Sequence, residues 1–265
     1  MRLAIFSDVH GNLSALEAVL KHIDDQGDLD GIFFAGDLCL LGPRPEECVQ
    51  LLRSRQDVSN VYGNTDQWID GPPLLSDDIE EEERRRRQHI NDIVSWTREK
   101  LPEMDRAWLR ELPFHRRVSP TVNPRDDLFI VHANPLDVDQ MIYPPKERQR
   151  DRFGEVVQSD HDLEPLLGEL VAAVLAFGHL HIPFVRHWRD MDLVNVSSVS
   201  IPGDGDPRAK YVLLTWDGSA WNAEHQYVDY DIEPEIEAYK REQPPGWKQA
   251  VQMLQKRGML LQFQD

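Results

Sequence analysis

The sequence predicts an α/β protein that contains both parallel and antiparallel strands. In the first half of the chain, short apolar runs alternate with helical patterns. Strand–helix–strand repetition of this kind produces right-handed crossovers and parallel pairing. In the second half, strand-like runs follow one another closely, which is typical of antiparallel hairpins. The chain has 265 residues and is 40% hydrophobic, so one large domain over residues 1–265 has enough apolar material for a full core.

Three short apolar runs in the first half predict buried strands. They are residues 3–6, 32–35 and 58–62. A helix is predicted after the first strand, because apolar side chains recur there at helical spacing and Asn12 is available as the N-cap. Its apolar face comprises Leu13, Leu16, Leu20 and Ile23. A second helix is predicted at about residues 46–53.

Residues 71–113 interrupt this alternation and predict a helical insert beside the main sheet. Four glutamates at 80–83 precede four arginines at 84–87, and each Glu–Arg pair at i,i+4 supports a helix. Such a charge run is typical of a solvated helix face. The alternative is that these arginines reach a substrate. A second helical stretch has its apolar positions at Ile93, Trp96, Leu101, Trp108 and Leu112.

Six strand-like runs predict the second half of the fold. They are residues 128–131, 174–177, 184–188, 193–196, 211–216 and 221–227. The dipeptide Asp217-Gly218 predicts a tight turn between the last two. The tail is predicted to be helical at residues 234–241 and 247–256.

Composition narrows the classes of function. The net charge of −18 argues against binding to a nucleic-acid polymer, because phosphate backbones attract basic surfaces, and favours a small substrate. No apolar run approaches the ~20 residues of a membrane span. The first residues lack the pattern of a secretory signal. Two cysteines, Cys39 and Cys48, are too few for a disulfide framework, so we expect reduced thiols in a cytoplasmic protein.

Side chains that can bind metals follow five of the predicted strands, just beyond their carboxyl ends. They are Asp8, His10, Asp37, Asn64, His132, His179 and His181. One such residue alone is typical of a turn or a cap. Five separate turns that all deliver ligand-type residues to the edge where open α/β sheets bind ligands indicate a site. Adjacent glycines let the backbone turn tightly there. They are Gly11, Gly36, Gly63 and Gly178.

The chain resembles the calcineurin-like metallophosphoesterase family in an ordered set of motifs. The motifs are Asp8-x-His10, Gly36-Asp37, Gly63-Asn64-x-Asp66, His132 and Gly178-His179-x-His181. It is similar in particular to the branch of bacterial phosphodiesterases and diadenosine-polyphosphate hydrolases. The resemblance implies a four-layer α/β/β/α sandwich of two mixed sheets with helices outside. It also implies a dinuclear site at one end, which the insert is expected to cap.

The resemblance implies two divalent metal ions. The implied ligands are Asp8, His10 and His181 for one ion, Asn64, His132 and His179 for the other, and Asp37 as the bridge between them. Because no cysteine belongs to the set, Mn²⁺ is expected, with Fe or Zn²⁺ as alternatives. The implied reaction is attack of a metal-bridging hydroxide on a small phosphodiester or nucleotide phosphoanhydride. The predicted catalytic residues are Asn64, Asp66 and His132.

Thr65 departs from the family pattern. Many members carry histidine between the asparagine and the acid, where it can protonate the leaving oxygen. Threonine cannot act as a general acid near neutral pH, so a leaving group of low pKa is favoured. This favours a phosphodiester or phosphoanhydride over an alkyl monoester. A second departure is the sequence Asn-Val-Ser-Ser at residues 195–198, where the branch usually has Asn-Pro-Gly-Ser.

Three residues are candidates for contact with substrate phosphate: Asn12, Arg44 and Asn134. Capping or turn formation is the alternative for the two asparagines. Asp66 either orients a ligand or a water, or serves as an acid at a helix N-terminus. Two other functions remain open, a phosphomonoesterase (including a protein phosphatase) and a non-catalytic interaction module on the same fold.

Overall fold

The computed structural model describes residues 1–73 and 80–262. Its strands are β1 (Arg2–Phe6), β2 (Gly31–Ala35), β3 (Val58–Val61), β4 (Arg116–Val118), β5 (Leu128–Ile130), β6 (Val174–Phe177), β7 (Phe184–Trp188), β8 (Met191–Asn195), β9 (Ala209–Trp216) and β10 (Trp221–Val228). Its helices are α1 (Leu13–Asp24), α2 (Pro45–Ser54), α3 (Asn64–Trp68), α4 (Glu81–Lys100), α5 (Glu103–Arg110), α6 (Lys146–Phe153), α7 (Glu164–Leu167), α8 (Glu233–Glu242) and α9 (Trp247–Gln262).

The strands form two mixed sheets of five strands each. The first has the order β10-β9-β1-β2-β3, with β1, β2 and β3 parallel and β9 antiparallel to both of its neighbours. The second has the order β4-β5-β6-β8-β7, with β5, β6 and β8 parallel. Strands β4 and β7 pair antiparallel at its two edges. The carboxyl ends of the parallel strands carry the loops that form the site.

Three apolar layers show that the sheets and helices form a four-layer sandwich. Alternate residues of a strand face opposite sides, so Ile5 packs between the two sheets while Phe6 packs under the helices of the first sheet. In the second sheet, Leu175 lies in a third layer with Leu167 of α7. The predicted α/β/β/α architecture is therefore confirmed.

The predicted hairpins are confirmed in two places, β7–β8 and β9–β10. The turn of the second is closed by a hydrogen bond from the backbone N–H of Asp217 to the carbonyl of Ala220 (3.1 Å), with Gly218 at φ 105°. Strand β8 also pairs in parallel with β6, which its position in a hairpin did not indicate. Four short or polar elements were not predicted: α3, β4, α6 and α7.

The insert joins the helix layer of the first sheet. Ile93 and Val94 of α4 and Leu109 of α5 are buried in the core that contains α1 and α2. The charge run lies on an exposed face, where Glu83 accepts hydrogen bonds from the side chains of two arginines of the run. Residues 74–79 of the predicted insert lie outside the described residues, and its role as a cap stays a prediction. Among the described helices, none is long and apolar enough to cross a bilayer.

Candidate metal centre

Five of the candidate ligands have left-handed backbones immediately after their strands. Their φ angles are 60° at Asp8, 48° at His10, 65° at Asp37, 64° at His179 and 61° at His181. A left-handed non-glycine residue costs roughly 1–3 kcal/mol and persists only where its surroundings hold it. Here the backbone N–H groups of Val9 and His10 both donate to the Asp37 carbonyl, at 2.9 and 3.1 Å. These hydrogen bonds therefore connect the loop after β1 to the loop after β2 and stabilise both.

The first group of candidate ligands consists of Asp8, His10 and His181, whose ligand atoms lie within 4.8 Å of one another. Asp8 Oδ1 is 3.0 Å from His181 Nε2 and 3.7 Å from His10 Nε2. The two Nε2 atoms are 3.2 Å apart. Asp8 also accepts a hydrogen bond from the backbone N–H of His179 through Oδ2 (3.0 Å). Loops that follow strands of both sheets thus contribute residues to this group.

The second group consists of Asp37, His132 and His179. His132 Nε2 is 3.4 Å from Asp37 Oδ2 and 3.0 Å from Asn64 Oδ1, so the predicted asparagine belongs to this group as well. Asp37 Oδ2 is also 3.8 Å from His10 Nε2 of the first group. The position of Asp37 between the two groups is the one that a bridging ligand requires.

The histidine rings are oriented by backbone carbonyls. His132 Nδ1 is 2.9 Å from the Ala35 carbonyl, and His181 Nδ1 is 2.9 Å from the Ile201 carbonyl. Because a carbonyl only accepts, each Nδ1 carries a proton, and each Nε2 faces the cluster, where it can bind a cation in place of a proton. His179 is arranged the other way, since its Nε2 is 2.7 Å from the Asp139 carbonyl and its Nδ1 is left as the ligand atom.

The donor set fits two divalent metal ions. Metal–nitrogen bonds of about 2.1 Å place neighbouring ligand atoms roughly 3.0–3.4 Å apart, and the closest contacts within each group fall in this range. His10 Nε2 and His181 Nε2 lie 3.2 Å apart, close enough for one cation to bind both nitrogens. The ligands are carboxylate oxygen, amide oxygen and imidazole nitrogen, which suit Mn²⁺, Fe or Zn²⁺.

Burial and mutual charge set the protonation of these groups. Burial lowers the pKa of His10 to about 4, so its imidazole is neutral at pH 7 and free to bind a metal. Burial raises the pKa of Asp37, but the neighbouring His132 and His10 outweigh it and hold that pKa below its ordinary value. Burial lowers the pKa of His132, but the Asp37 carboxylate outweighs it and raises that pKa to about 10. The cluster thus holds ionised carboxylates that attract cations.

Asp66 holds the backbone that carries the ligands. Its carboxylate accepts hydrogen bonds from the backbone N–H groups of Asp37, Leu38 and Gly63, each at 2.9 Å. It is therefore the acid at the N-terminus of α3, and it also orients the bridging residue. Burial and the adjacent Asp37 raise its pKa to about 6. A direct catalytic role for Asp66 stays a prediction.

Gly63 and Gly178 are required for close approach between loops. A Cβ on Gly63 would lie 2.1 Å from Asp37 Oδ1, and a Cβ on Gly178 would lie 2.2 Å from Asp8 Oδ2. Neither glycine has a positive φ. The sequence correctly marked both as site residues, but the reason is contact with a ligand carboxylate and not a turn.

Thr65 lies beside the bridging ligand with its hydroxyl unused. Its backbone N–H donates to Asp37 Oδ1 (2.9 Å). Its side chain is buried, and its Oγ1 has no hydrogen-bond partner within the described part of the chain. At the position where many family members carry a histidine, this chain has a buried hydroxyl that none of the described residues hydrogen-bonds.

Asn12 forms the hydrogen bonds of the capping alternative, and its contact with a substrate stays a prediction. Its Oδ1 accepts from the backbone N–H of Ala15 (3.0 Å), so it is the N-cap of α1. Its amide nitrogen donates to the side chains of Tyr230 (3.1 Å) and Ser200 (3.4 Å). The capping alternative is the one that the structure shows, because the amide is engaged with the protein.

Asn134 is also hydrogen-bonded within the protein. It donates to the Gln140 carbonyl (2.8 Å) and accepts from the backbone N–H groups of Leu136 and Asp137. The side chain therefore shapes the loop after His132, and its contact with a substrate phosphate stays a prediction. That loop supplies the Asp139 carbonyl that orients a ligand ring.

Arg44, the third predicted phosphate contact, is paired with Glu235 of α8 and donates to Ser14 Oγ (2.6 Å). The ion pair ties the loop after β2 to the C-terminal helices, and the contact of Arg44 with a substrate phosphate stays a prediction. Sequence reasoning missed Glu235, which is buried and whose pKa burial raises. A glutamate in the first turn of a predicted surface helix carries no signal of such a partner.

Residues 1–219 match the calcineurin-like phosphoesterase superfamily domain, and the chain belongs to this family. The resemblance that the motifs indicated is thereby confirmed. Membership supports metal-dependent phosphoester hydrolysis as the general activity, and the two ligand groups agree with it.

Individual relatives share the fold over nearly their full length. "Uncharacterized protein MJ0912" of Methanocaldococcus jannaschii is 27% identical over 262 residues, which cover 92% of this chain and 94% of the relative. A metallophosphoesterase from Sphaerobacter thermophilus is 25% identical with a TM-score of 0.64, covering 96% of this chain and 98% of that one. The hypothetical protein PH1004 from Pyrococcus horikoshii OT3 is 19% identical with a TM-score of 0.73, covering 96% and 97%.

Proposed function

We propose that the protein hydrolyses small phosphodiesters or nucleotide phosphoanhydrides with the help of two divalent ions, of which Mn²⁺ is the first choice. The observation that carries this proposal is the position of Asp37 between two clusters of oriented ligands. A single ion would leave one cluster of buried, ligand-type side chains without a charge partner, which is costly.

The residues of the chain have distinct roles in this reaction. Two bound ions supply an activated water and a positive clamp for phosphate oxygens. Asp37 bridges the two ligand groups, while Asp66 fixes the backbone of Asp37 through its amide N–H. Asn64 and His132 would bind the ion held by the second group. Asn64 Oδ1 lies 3.0 Å from His132 Nε2. The ordered rings keep their lone pairs directed to the centre, so the site needs little reorganisation on binding.

Thr65 supports a diester or an anhydride as the substrate. A positioned general acid contributes about 10²–10⁴-fold to rate, and a threonine hydroxyl cannot supply it. Phosphodiesters and phosphoanhydrides with a leaving group of low pKa need that help least. A phosphomonoesterase, the second candidate, is disfavoured on this ground. A non-catalytic module is disfavoured because it gains nothing from two buried sets of metal ligands.

The two buried free cysteines, Cys39 and Cys48, suit a reducing compartment such as the cytoplasm.

The experiment compares Mn²⁺-loaded protein on bis-p-nitrophenyl phosphate, p-nitrophenyl phosphate and diadenosine tetraphosphate. We expect hydrolysis of the diester and of the tetraphosphate to exceed that of the monoester. Asp37→Asn should reduce the rate by about 10³-fold, because several kcal/mol of metal-derived stabilisation are lost. Asp25→Asn is the matched control, since that aspartate is exposed at the end of α1. A monoester preference, or full activity in Asp37→Asn, contradicts the proposal.

A further inference from the structure

An open cavity of about 390 Å³ borders the segment that follows the candidate ligand His181. It is lined by Pro144, Arg148, Asp151, Arg152, Ile182 and Asp204. Ile182 directly follows the ligand His181. Gly203, which precedes Asp204, donates its backbone N–H to the His181 carbonyl (2.7 Å). One wall of the cavity is therefore continuous with the backbone that carries a metal ligand.

Two arginines of α6 face this cavity. Arg148 and Arg152 are one helical turn apart, so their side chains leave the same face of the helix. Arg148 donates through Nη1 to the Pro183 carbonyl (2.7 Å), which fixes its guanidinium. Within the part of the chain that the structure describes, no ion pair joins Arg152 to an acid. Like charges at this spacing destabilise a helix slightly, and a bound anion would remove that cost.

The local charge of the cavity is opposite to that of the whole chain. Its lining contains two acids, Asp151 and Asp204, and the second is already paired with the buried Lys210, whose Nζ is 3.1 Å from Asp204 Oδ1. Of the two lining acids, only Asp151 is therefore left against the two lining arginines, in a chain whose net charge is −18. A local surplus of positive charge in an acidic protein favours anions at that place alone.

We propose that this cavity binds a second phosphate group of the substrate, next to the phosphate that is cleaved, and that Arg148 and Arg152 hold it. Guanidinium groups pair with phosphate oxygens through two parallel hydrogen bonds, and the bond from Nη1 of Arg148 to the Pro183 carbonyl leaves other N–H groups of Arg148 for a phosphate. The inference rests on the proposed function and narrows it to phosphate compounds with more than one phosphate. A simple diester would bind without using the cavity.

The kinetic test uses Arg152→Gln, with Arg150→Gln as the matched control. Arg150 is an exposed arginine of the same helix that does not line the cavity, so both variants remove the same charge. We expect Arg152→Gln to lower kcat/KM for diadenosine tetraphosphate about tenfold, the loss of one charge-assisted contact, through KM. Its kcat/KM for bis-p-nitrophenyl phosphate should be unchanged. Equal effects of the two variants on the tetraphosphate overturn the proposal.

A binding measurement separates this inference from the proposed function. Sodium pyrophosphate is titrated calorimetrically into EDTA-treated protein, so the result does not depend on turnover. Arg152→Gln should weaken pyrophosphate binding about tenfold, Arg150→Gln should leave it unchanged, and Asp151→Asn should tighten it by removing an unpaired acid of the lining. If the parent hydrolyses none of the substrates, the proposed function fails while this titration still decides the cavity. Unchanged affinity in Arg152→Gln overturns the cavity assignment.

Discussion

The metal-ligand side of the site and its leaving-group side are held in different ways. On the ligand side, backbone carbonyls orient His132 and His181, and Asp66 fixes the backbone of Asp37. On the leaving-group side, Thr65 presents a buried hydroxyl for which the described residues offer no partner. The difference teaches that this fold positions charge and candidate ligands in detail, whereas under the proposed function the departing oxygen relies on its own low pKa or on water.

Among changes that leave every candidate ligand in place, the largest effect should come from crowding the ligand side. In Gly63→Ala the new methyl group would lie 2.1 Å from Asp37 Oδ1, so the carboxylate must move by more than 1 Å. A displacement of that size costs roughly 10²-fold in rate. Steady-state hydrolysis of bis-p-nitrophenyl phosphate measures it. Gly71→Ala is the control, because its Cβ would meet its nearest neighbour, the Gln67 carbonyl, at 3.8 Å. Equal rates in the two variants would remove the claim that Gly63 makes room for the ligand.

A smaller loss should follow from weakening the support behind a ligand. Asp66→Asn keeps the size of the side chain but replaces one acceptor oxygen with an amide that faces backbone N–H donors. Changes in groups that orient ligands lower metal affinity by about 10–100-fold. Titration with Mn²⁺, followed by activity, measures the apparent Kd. Activity at saturating Mn²⁺ should recover largely, whereas a kcat that stays low at saturation would assign Asp66 a direct catalytic part.

The smallest effect should come from the leaving-group side. Thr65→Val removes a hydroxyl that lacks a hydrogen-bond partner and keeps the shape of the side chain. We expect hydrolysis to change by less than about threefold, since a true general acid would cost about 10²–10⁴-fold. The same substrate panel measures it. A hundredfold drop would show that the two sides of the site do not differ as described.

The grouping of the candidate metal ligands was predictable from the sequence because strand ends are recognisable. Apolar runs locate the carboxyl edge of a sheet, and Asp8, Asp37 and His132 follow such runs directly. The same logic located most of the first sheet. It missed α6, whose sequence KERQRDRF has no apolar periodicity, and β4, which spans only three residues.

Substrate contacts were not predictable, because short polar side chains serve the backbone as readily as a ligand. Asn12 and Asn134 lie close to metal ligands in sequence, yet each is engaged in capping or loop hydrogen bonds. Arg44 depends on Glu235, 191 residues further along the chain. The backbone carbonyls that orient the histidines could not be predicted, because every residue has a carbonyl and the sequence does not mark which one is used.

The central claim is that Asp37 joins two metal ions in one site. Elemental analysis by inductively coupled plasma mass spectrometry on Mn²⁺-loaded protein, after removal of free metal, tests it most directly. The account predicts two Mn²⁺ per chain in the parent and fewer than two in Asp37→Asn. One or fewer per chain in the parent would contradict it.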